Sequence, residues 1–177
     1  SINRKILDPT ADRYFFVADE IPLSLKGLAK DYELRLPLHP DRRSRENRAL
    51  TVKVCDGVGC VYVSRYDLRT LLEHSIVRLM GFINIEVDSV GQDEVKARYH
   101  SEDVAEARRM KAPLIQWIPS EDPLPTRVIM QDSSTVKGLS ETSCRRLNVG
   151  QVIQFERFGF VRVDGTNSSL ETYYAHG

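Results

Sequence analysis

Several segments of this chain have the signals of β-strands, either apolar residues at every second position or a high content of aromatic and β-branched residues. The clearest case is the segment from Asp31 to Leu38, where apolar and polar residues alternate. The segments 50–55 and 60–63 predict a hairpin around the Gly-rich turn 56–59. Further strands are predicted over residues 13–17, 76–87, 95–99, 114–118, 127–130, 151–155 and 158–163.

Helices are predicted to be few and short. One is expected to be capped by Ser101, with acidic residues in its first turn and basic residues before Pro113, which suits the helix dipole. Two more are predicted over residues 66–73 and 141–146. Many short strands separated by turn residues predict an all-β fold, either barrels or a sandwich. The Pro-rich stretch 119–125 is the predicted crossing between two subdomains.

Composition limits the range of functions. The chain has 177 residues, of which 41% are hydrophobic, so it can bury the core of one domain or of two small ones. Its formal net charge of +0 argues against coating nucleic acid by bulk charge, but it permits a local basic patch. No apolar run approaches the roughly 20 residues that a membrane helix needs. Residues 1–9 have no apolar signal-peptide core, so we expect a soluble, cytoplasmic protein. The first residue is not Met, so we expect this chain to be part of a longer protein.

The cysteines and histidines do not predict a metal site. Cys55 and Cys60 flank the turn 56–59, but a zinc site would need two more ligands at suitable spacing. The histidines are scattered singly, and three cysteines form no disulfide framework. We therefore expect no metal and no disulfide, with Cys55 and Cys60 as small apolar side chains paired across a hairpin.

The sequence also lacks familiar catalytic motifs. Gly57-Val-Gly59 has neither the third glycine nor the following helix of a phosphate-binding loop. No Gly-x-Ser-x-Gly elbow is present. We expect no catalytic residues in this chain.

Short segments from about residue 8 to the end match one known family in order and spacing. They are Asp12-Arg-Tyr-Phe-Phe-Val17, Pro37-Leu-His-Pro40, Val61-Tyr-Val-Ser64, Val77-Arg-Leu-Met-Gly-Phe82, Ile115-Gln-Trp-Ile-Pro119, Gln154-Phe-Glu-Arg-Phe-Gly-Phe160 and Arg162-Val-Asp164. Together they resemble the C-terminal anticodon-binding region of archaeal-type glutamyl-tRNA synthetases and of glutaminyl-tRNA synthetases. Met80-Gly81-Phe82 stands where a glutaminyl enzyme usually has a second Arg and an Asn, which favours the glutamyl branch.

The resemblance implies a fold and a partner. It implies two adjoining small β-barrels, at approximately 8–115 and 116–177, with strands exchanged between them. The implied partner is the anticodon stem-loop of glutamate tRNA, with glutamine tRNA as an alternative. The class I signatures His-x-Gly-His and Lys-Met-Ser-Lys-Ser are absent. The half of the enzyme that binds ATP and Mg and attaches glutamate to tRNA is therefore expected outside this chain, and the chain alone is expected to be inactive.

One group of residues is predicted to read the middle anticodon base. In a strand, Gln154 and Glu156 share a face. An amide that can donate and a carboxylate that accepts suit the two carbonyls and one N–H of uridine. The resemblance implies that Arg13, Gln154 and Glu156 form this pocket, with Glu156 accepting the uridine N–H or holding Arg13 in place. The pattern by itself also fits a solvated strand face.

Other residues are predicted to contact the RNA less specifically. The planar guanidinium of Arg157 suits a phosphate or a base, and an exposed salt bridge is its alternative. Arg78 matches a residue that reads the first anticodon base in glutaminyl relatives. A loop rich in arginine is predicted to contact phosphates, with a solvated loop as the alternative: Asp41, Arg42, Arg43 and Arg45, followed by Arg48. Arg145 and Arg146 are weaker candidates, and Trp117 is predicted to be a core anchor.

Two other functions stay open from the sequence. The first is the equivalent region of a glutaminyl-tRNA synthetase, which contacts to the third anticodon base would distinguish. The second is a structural module that docks another protein through exposed strands. Steep weakening of binding by added salt would favour RNA over an apolar protein interface.

Overall fold

The computed structural model describes residues 2–41 and 46–177. Most of these residues lie in short strands, which confirms the predicted all-β class. The strands are β1 (Arg13–Tyr14), β2 (Phe16–Ala18), β3 (Glu20–Lys26), β4 (Tyr32–Pro37), β5 (Asn47–Val52), β6 (Val54–Cys55), β7 (Val58–Ser64), β8 (Ile76–Leu79), β9 (Asn84–Val90), β10 (Val95–Ser101), β11 (Leu114–Ile115), β12 (Trp117–Pro119), β13 (Leu124–Ile129), β14 (Thr135–Ser140), β15 (Val152–Phe155), β16 (Gly159–Gly165) and β17 (Leu170–His176). The helices are α1 (Ile2–Leu7), α2 (Leu68–Glu73) and α3 (Val104–Arg109), with 3₁₀ turns at Arg65–Asp67 and Thr142–Arg146.

One sheet, the C-terminal sheet, contains seven strands in the order β1-β15-β16-β17-β13-β14-β2. Its two end strands are consecutive in the chain and are separated only by Phe15. The segment 13–18 therefore pairs with β15 at one end and with β14 at the other. This connectivity brings the two edges of the sheet together on one extended segment, as in a closed sheet.

In the second sheet, the N-terminal sheet, the two edge strands are also neighbours in the chain. Its strands run in the order β11-β8-β9-β10-β3-β7-β12, and β6 pairs with β7 off this path. The end strands β11 and β12 are separated only by Gln116, so one extended segment again carries both edges. Strands β4 and β5 form a separate hairpin. The N-terminal strands β1 and β2 thus belong to the C-terminal sheet, while the division into two units near residue 116 stays a prediction.

The segment 14–18 lies between two hydrophobic cores. Phe15 and Val17 pack into the core of the N-terminal sheet, whereas Tyr14, Phe16 and Ala18 pack into the core of the C-terminal sheet. Adjacent strand residues point to opposite faces, so five consecutive apolar residues fill both cores. This segment fixes the two sheets to each other.

Two predicted strand assignments were wrong. Residues 76–87 form two strands, β8 and β9, because a turn containing Gly81 at φ 68° reverses the chain between them. In the predicted hairpin, β5 pairs with β4, and only β6 pairs with β7. Cys55 lies opposite Val58 and Cys60 lies opposite Ser24, so the predicted cysteine pairing across a hairpin was also wrong.

The helix predictions need two corrections. The helix after β10 is capped by Asp103, whose carboxylate accepts the Ala105 N–H at 2.8 Å, and not by Ser101, which ends β10. The helix expected at 141–146 is a 3₁₀ turn. The helix predicted at 66–73 is present as a 3₁₀ turn followed by α2. Strands β3, β14 and β17 and helix α1 were not predicted.

The Pro-rich stretch carries the chain from one sheet to the other. Strand β12 belongs to the N-terminal sheet and β13 to the C-terminal sheet, so residues 120–123 make the crossing. Among the described residues no helix is long and apolar enough to span a membrane. The same part of the chain contains no cluster of three or more His, Cys, Asp or Glu residues that could hold a metal.

Candidate nucleic-acid interface

Parallel pairing of β1 with β15 brings together the three residues predicted to form a base pocket. Arg13 lies directly opposite Gln154 in the register. The ladder continues on both sides, since the Gln154 N–H donates to Asp12 O at 2.9 Å and the Glu156 N–H donates to Tyr14 O at 3.0 Å. Residues more than 140 positions apart in sequence thus lie on adjacent strands.

Two polar atoms at this place are buried and have no hydrogen-bond partner. They are Nε of Arg13 and Oε1 of Gln154. The rest of the Arg13 guanidinium is held by Asp8, whose carboxylate accepts from Nη2 at 3.3 Å. Buried polar atoms are nearly always paired in folded proteins. The two paired strands therefore carry one donor and one acceptor that the fold itself does not pair.

A cleft of about 240 Å³ opens beside these strands. Its apolar walls include Phe15, Leu36 and Met80, and its charged groups are Arg13, Arg48 and Glu156. Apolar walls with a few convergent polar groups are typical of a ligand site. A flat ring with a polar edge fits this arrangement.

Arg48 is a residue whose position the sequence did not predict. We expected it to continue the basic loop at the surface, but its side chain is only 2% exposed. Its Nη1 donates to Pro37 O at 2.7 Å, and its guanidinium lies 4.8 Å from the centre of the Phe15 ring. It also forms ion pairs with Glu141 at 3.1 Å and Glu156 at 3.3 Å. The alternation of Arg48, Leu50 and Val52 on the buried face of β5 is the sequence signal that could have located it.

Glu141 anchors this cluster from the C-terminal sheet. It lies just after β14, and its carboxylate accepts the Phe15 N–H at 2.8 Å as well as the hydroxyl of Ser143. Burial raises the pKa of the Glu141 carboxyl, while the Arg48 guanidinium and these donors act in the opposite direction. The buried charge is therefore hydrogen-bonded on both oxygens, as a buried carboxylate requires.

The loop after β4 is fixed beside Arg13 by a buried histidine. Nε2 of His39 donates to Asp8 O at 2.8 Å, and Nδ1 accepts the Asp41 N–H at 3.1 Å. Since a carbonyl can only accept and a backbone N–H can only donate, these contacts select one neutral tautomer. Asp41 is exposed at the end of this loop. Arg42, Arg43 and Arg45 lie outside the described residues, and their phosphate contacts stay a prediction.

Arg157 lies on the turn between β15 and β16. Its backbone is left-handed, with φ 61°, and its exposed side chain donates from Nη1 to Leu114 O at 2.5 Å. Burial raises the pKa of the nearby Asp67 carboxyl, and the Arg157 charge lowers it. These contacts hold the turn against the N-terminal sheet, and the predicted RNA contact of Arg157 stays a prediction.

Arg78 is directed into the protein. It is 7% exposed, and it donates to Asn84 Oδ1 at 2.8 Å and to Glu102 O at 3.0 Å. Burial lowers the pKa of Arg78, and the Asp103 charge opposes this effect. Arg78 therefore links β8, β9 and the residues before α3. Reading of the first anticodon base by Arg78 stays a prediction, and it would require these internal bonds to break.

Trp117 is a core anchor, as predicted. Its side chain is fully buried, and its indole N–H donates to Met80 O at 2.8 Å. Its ring contacts Phe15 and Phe82. Trp117 thus supports the back of the cleft through Phe15 and through the turn that carries Met80.

A second, more polar cleft of about 530 Å³ shares Arg48 with the first. It is lined by Asp12, Arg35, Arg146 and other polar residues. Arg145 is paired with Asp122 at 2.8 Å, whereas Arg146 is exposed and makes no ion pair with the described part of the chain. The side chain of Arg146 is therefore available to a phosphate, whereas that of Arg145 is occupied by Asp122. The sequence alone did not distinguish these two neighbouring arginines.

The fold and these two clefts define a class of protein: an all-β binding module whose apolar walls, unpaired polar atoms and nearby guanidinium groups suit single-stranded nucleic acid. Two family models match the chain, over residues 11–102 and 114–164, and both describe the anticodon-binding domain of class I tRNA synthetases for Glu and Gln. The chain belongs to this family of anticodon-binding domains, which confirms the resemblance seen in the sequence.

Curated relatives point to one branch of the family. The chain is 37% identical to the glutamate–tRNA ligase of Methanopyrus kandleri over 175 residues, covering 98% of this chain and 30% of the relative. It is 39% identical to that of Methanothermobacter marburgensis, covering 99% of this chain and 29% of the relative. It is 40% identical to that of Pyrococcus abyssi over 178 residues, covering 99% and 30%. The chain thus spans less than a third of the length of these relatives.

Proposed function

We propose that this chain recognises the anticodon of glutamate tRNA, and that the cleft beside β1 and β15 receives the middle anticodon base. The observation that carries this proposal is a cleft lined by Arg13 and Glu156, with Gln154 opposite Arg13 on the neighbouring strand. One buried polar atom of Arg13 and one of Gln154 lack partners. The family match supplies the kind of RNA, and the names of the relatives favour glutamate tRNA over glutamine tRNA.

The middle base in both tRNA families is taken as uridine, as the resemblance implies. Its ring N–H would donate to Glu156, and its carbonyls would accept from Arg13 and from the amide of Gln154. The amide can rotate about its terminal bond, so either its oxygen or its NH₂ group can face the ligand. Phe15 and Met80 would contact the faces of the ring.

The structure changes one part of the interpretation drawn from the sequence. Glu156 was expected to accept from uridine or to hold Arg13 in place. Arg13 is instead held by Asp8, and Glu156 is held by Arg48. The carboxylate of Glu156 is therefore free of Arg13 and can serve the base.

The activity of the whole protein is also a proposal. On the basis of the relatives' names, we propose that the parent protein attaches glutamate to tRNA in the cytoplasm. ATP and Mg would be bound by parts of the protein outside this chain. The chain itself would supply anticodon recognition only.

A titration with two RNA stem-loops tests the anticodon proposal. Replacing the middle uridine with cytidine exchanges the ring N–H for an acceptor and one carbonyl for a donor. Each mismatched buried polar group costs about 1–3 kcal/mol, so binding should weaken roughly ten- to hundredfold. Gln154→Ala should remove most of this discrimination, as measured by the ratio of the two Kd values at fixed ionic strength.

Two further variants serve as controls. Gln131→Ala changes an exposed amide in another turn and should leave the ratio as it is in the wild type. Arg146→Ala should weaken both stem-loops about equally and reduce the salt dependence, as expected for a phosphate contact. Equal discrimination by the wild type and Gln154→Ala would show that Gln154 does not read the base.

A further inference from the structure

Arg48 joins two carboxylates through different atoms of one rigid group. Its Nε donates to Glu141 Oε2 at 3.1 Å, and its Nη2 donates to Glu156 Oε1 at 3.3 Å. A guanidinium is planar, and its N–H groups form a fixed fork. The orientation that Arg48 takes at Glu141 therefore sets the position in which it holds Glu156.

Of the two carboxylates that Arg48 joins, that of Glu141 is buried and held in place by the backbone. The Glu141 side chain is 1% exposed, and its Oε2 also accepts the backbone N–H of Phe15 at 2.8 Å. Arg48 is held from two further directions by Pro37 O at 2.7 Å and by the face of the Phe15 ring. Arg48 thus has four sets of contacts and little freedom to turn.

The other carboxylate, that of Glu156, faces the cleft. Its side chain is 20% exposed, and it lines the same cleft as Arg13 and Met80. Oε1 is occupied by Arg48, whereas Oε2 accepts no hydrogen bond from the described part of the chain. One oxygen is therefore fixed by the protein, and the other is available to a ligand.

We propose that Arg48 is a positioning residue for base discrimination, which acts by aiming the free oxygen of Glu156 at the ring N–H of a uracil in the cleft. The inference rests on the proposed function of the cleft. A fixed carboxylate accepts from the ring N–H of uracil and repels the unprotonated ring nitrogen of cytosine. A mobile carboxylate turns away from cytosine, so the difference between the two bases depends on how firmly Glu156 is held.

The test measures the ratio of Kd values for the cytidine and uridine stem-loops with variants of the 177-residue chain. Arg48→Met should lower the ratio at least about fivefold, because the acceptor is no longer fixed by a charge-assisted hydrogen bond. Arg48→Lys keeps the charge but cannot bridge both carboxylates with a planar fork, so its ratio should lie between those of Arg48→Met and the wild type. Arg98→Met is the matched control, since Arg98 also contacts two carboxylates, Glu86 and Asp88, but in the N-terminal sheet and at 55% exposure.

A double variant separates positioning from general support of the fold. If Arg48 acts through Glu156, adding Arg48→Met to Glu156→Ala should change the ratio no further than Glu156→Ala does alone. A purely structural Arg48 would weaken both stem-loops by the same factor and leave the ratio of the single variant unchanged, which would overturn the inference. If Arg48→Met does not fold, a wild-type ratio for Arg48→Lys overturns the inference, and an intermediate ratio supports it.

The outcome for the wild type distinguishes this inference from the proposed function. If the wild type binds both stem-loops equally well, the proposed function of the cleft fails. If the wild type discriminates and the Arg48 variants discriminate to the same extent, only the positioning role of Arg48 fails.

Discussion

At the scale of single residues, arginines with the same side chain differ in their contacts because they differ in burial. Arg48 and Arg78 are nearly sealed from solvent and hold carboxylates or carbonyls of the protein, whereas Arg146 is exposed. A buried guanidinium has to be paired, so its contacts are with the fold. An exposed guanidinium without a partner is available to phosphate. Whether an arginine in this chain bonds to the protein or is available to a phosphate therefore depends on whether its guanidinium is buried or exposed.

Trp117 provides a residue-scale prediction about the support of the cleft. Trp117→Phe keeps an aromatic ring but leaves Met80 O without its donor, which should lower the free energy of unfolding by about 1–3 kcal/mol. Trp117→Ala also removes the contacts with Phe15 and Phe82 and should cost about 3–5 kcal/mol. Denaturant unfolding followed by far-UV circular dichroism measures both.

The control for Trp117 is another aromatic residue at the surface. Tyr66 is 75% exposed, so Tyr66→Ala should change the free energy of unfolding by no more than about 0.5 kcal/mol. A Trp117→Ala variant as stable as Tyr66→Ala would contradict the role of Trp117 as an anchor.

At the scale of elements, each sheet depends on an extended segment that is interrupted by one residue. In the C-terminal sheet this segment pairs with β15 through Arg13 and with β14 through residues 16–18. The interruption at Phe15 lets the same segment serve both edges. Arg13 and Gln154 face each other through the pairing of β1 with β15, so the arrangement of side chains beside these strands depends on that pairing.

Gly138 provides the element-scale prediction. It lies opposite Ala18, and a Cβ at this position would be 2.0 Å from Val17 O and 2.8 Å from the Ala18 Cα. Gly138→Ala would force β14 and β2 apart, so it should lower the free energy of unfolding by about 1–3 kcal/mol or more. Urea unfolding measures the change.

A second strand glycine is the matched control for Gly138. At Gly165 an added Cβ would meet only the Glu171 side chain, with its nearest atom at 3.7 Å. Gly165→Ala should be neutral or slightly stabilising, because alanine reduces the freedom of the unfolded chain. Equal effects of the two substitutions would show that the close approach of β2 to β14 is not a constraint.

At the scale of the whole molecule, two hydrophobic cores share the segment 14–18. Phe15 and Val17 complete one core, and their neighbours complete the other. The positive and negative side chains balance, with 25 Lys and Arg against 25 Asp and Glu. Attraction to RNA must therefore come from where the charges lie, since the total gives no net attraction.

The whole-molecule prediction is that folding depends on neither a metal nor a disulfide. The cysteines are free thiols, and burial raises the pKa of the Cys144 thiol well above its ordinary value, which keeps it protonated inside the apolar core. The midpoint of thermal unfolding should be the same with and without EDTA, and with and without dithiothreitol. A lower midpoint with either reagent would contradict this prediction, because removing a structural metal or disulfide destabilises the folded state.

The sequence by itself determined the fold class and the family. Alternation of apolar residues is a local signal, so the strands around Gln154 and Trp117 could be located without knowing their partners. The seven-residue strands β3 and β17 were not predicted. Strands β8 and β9 were merged, because a turn at a single glycine leaves little trace in the hydrophobic pattern.

Only the tertiary structure decided which polar groups face one another. Arg48 and Glu141 are 93 positions apart, and no pattern along the chain indicates that they form a buried pair. Whether Arg13 is held by Asp8 or by Glu156 depends on the pairing of β1 with β15 and on the path of the loop after β4. Periodicity reports which face of a strand is buried, but the partner across that face is fixed by long-range packing.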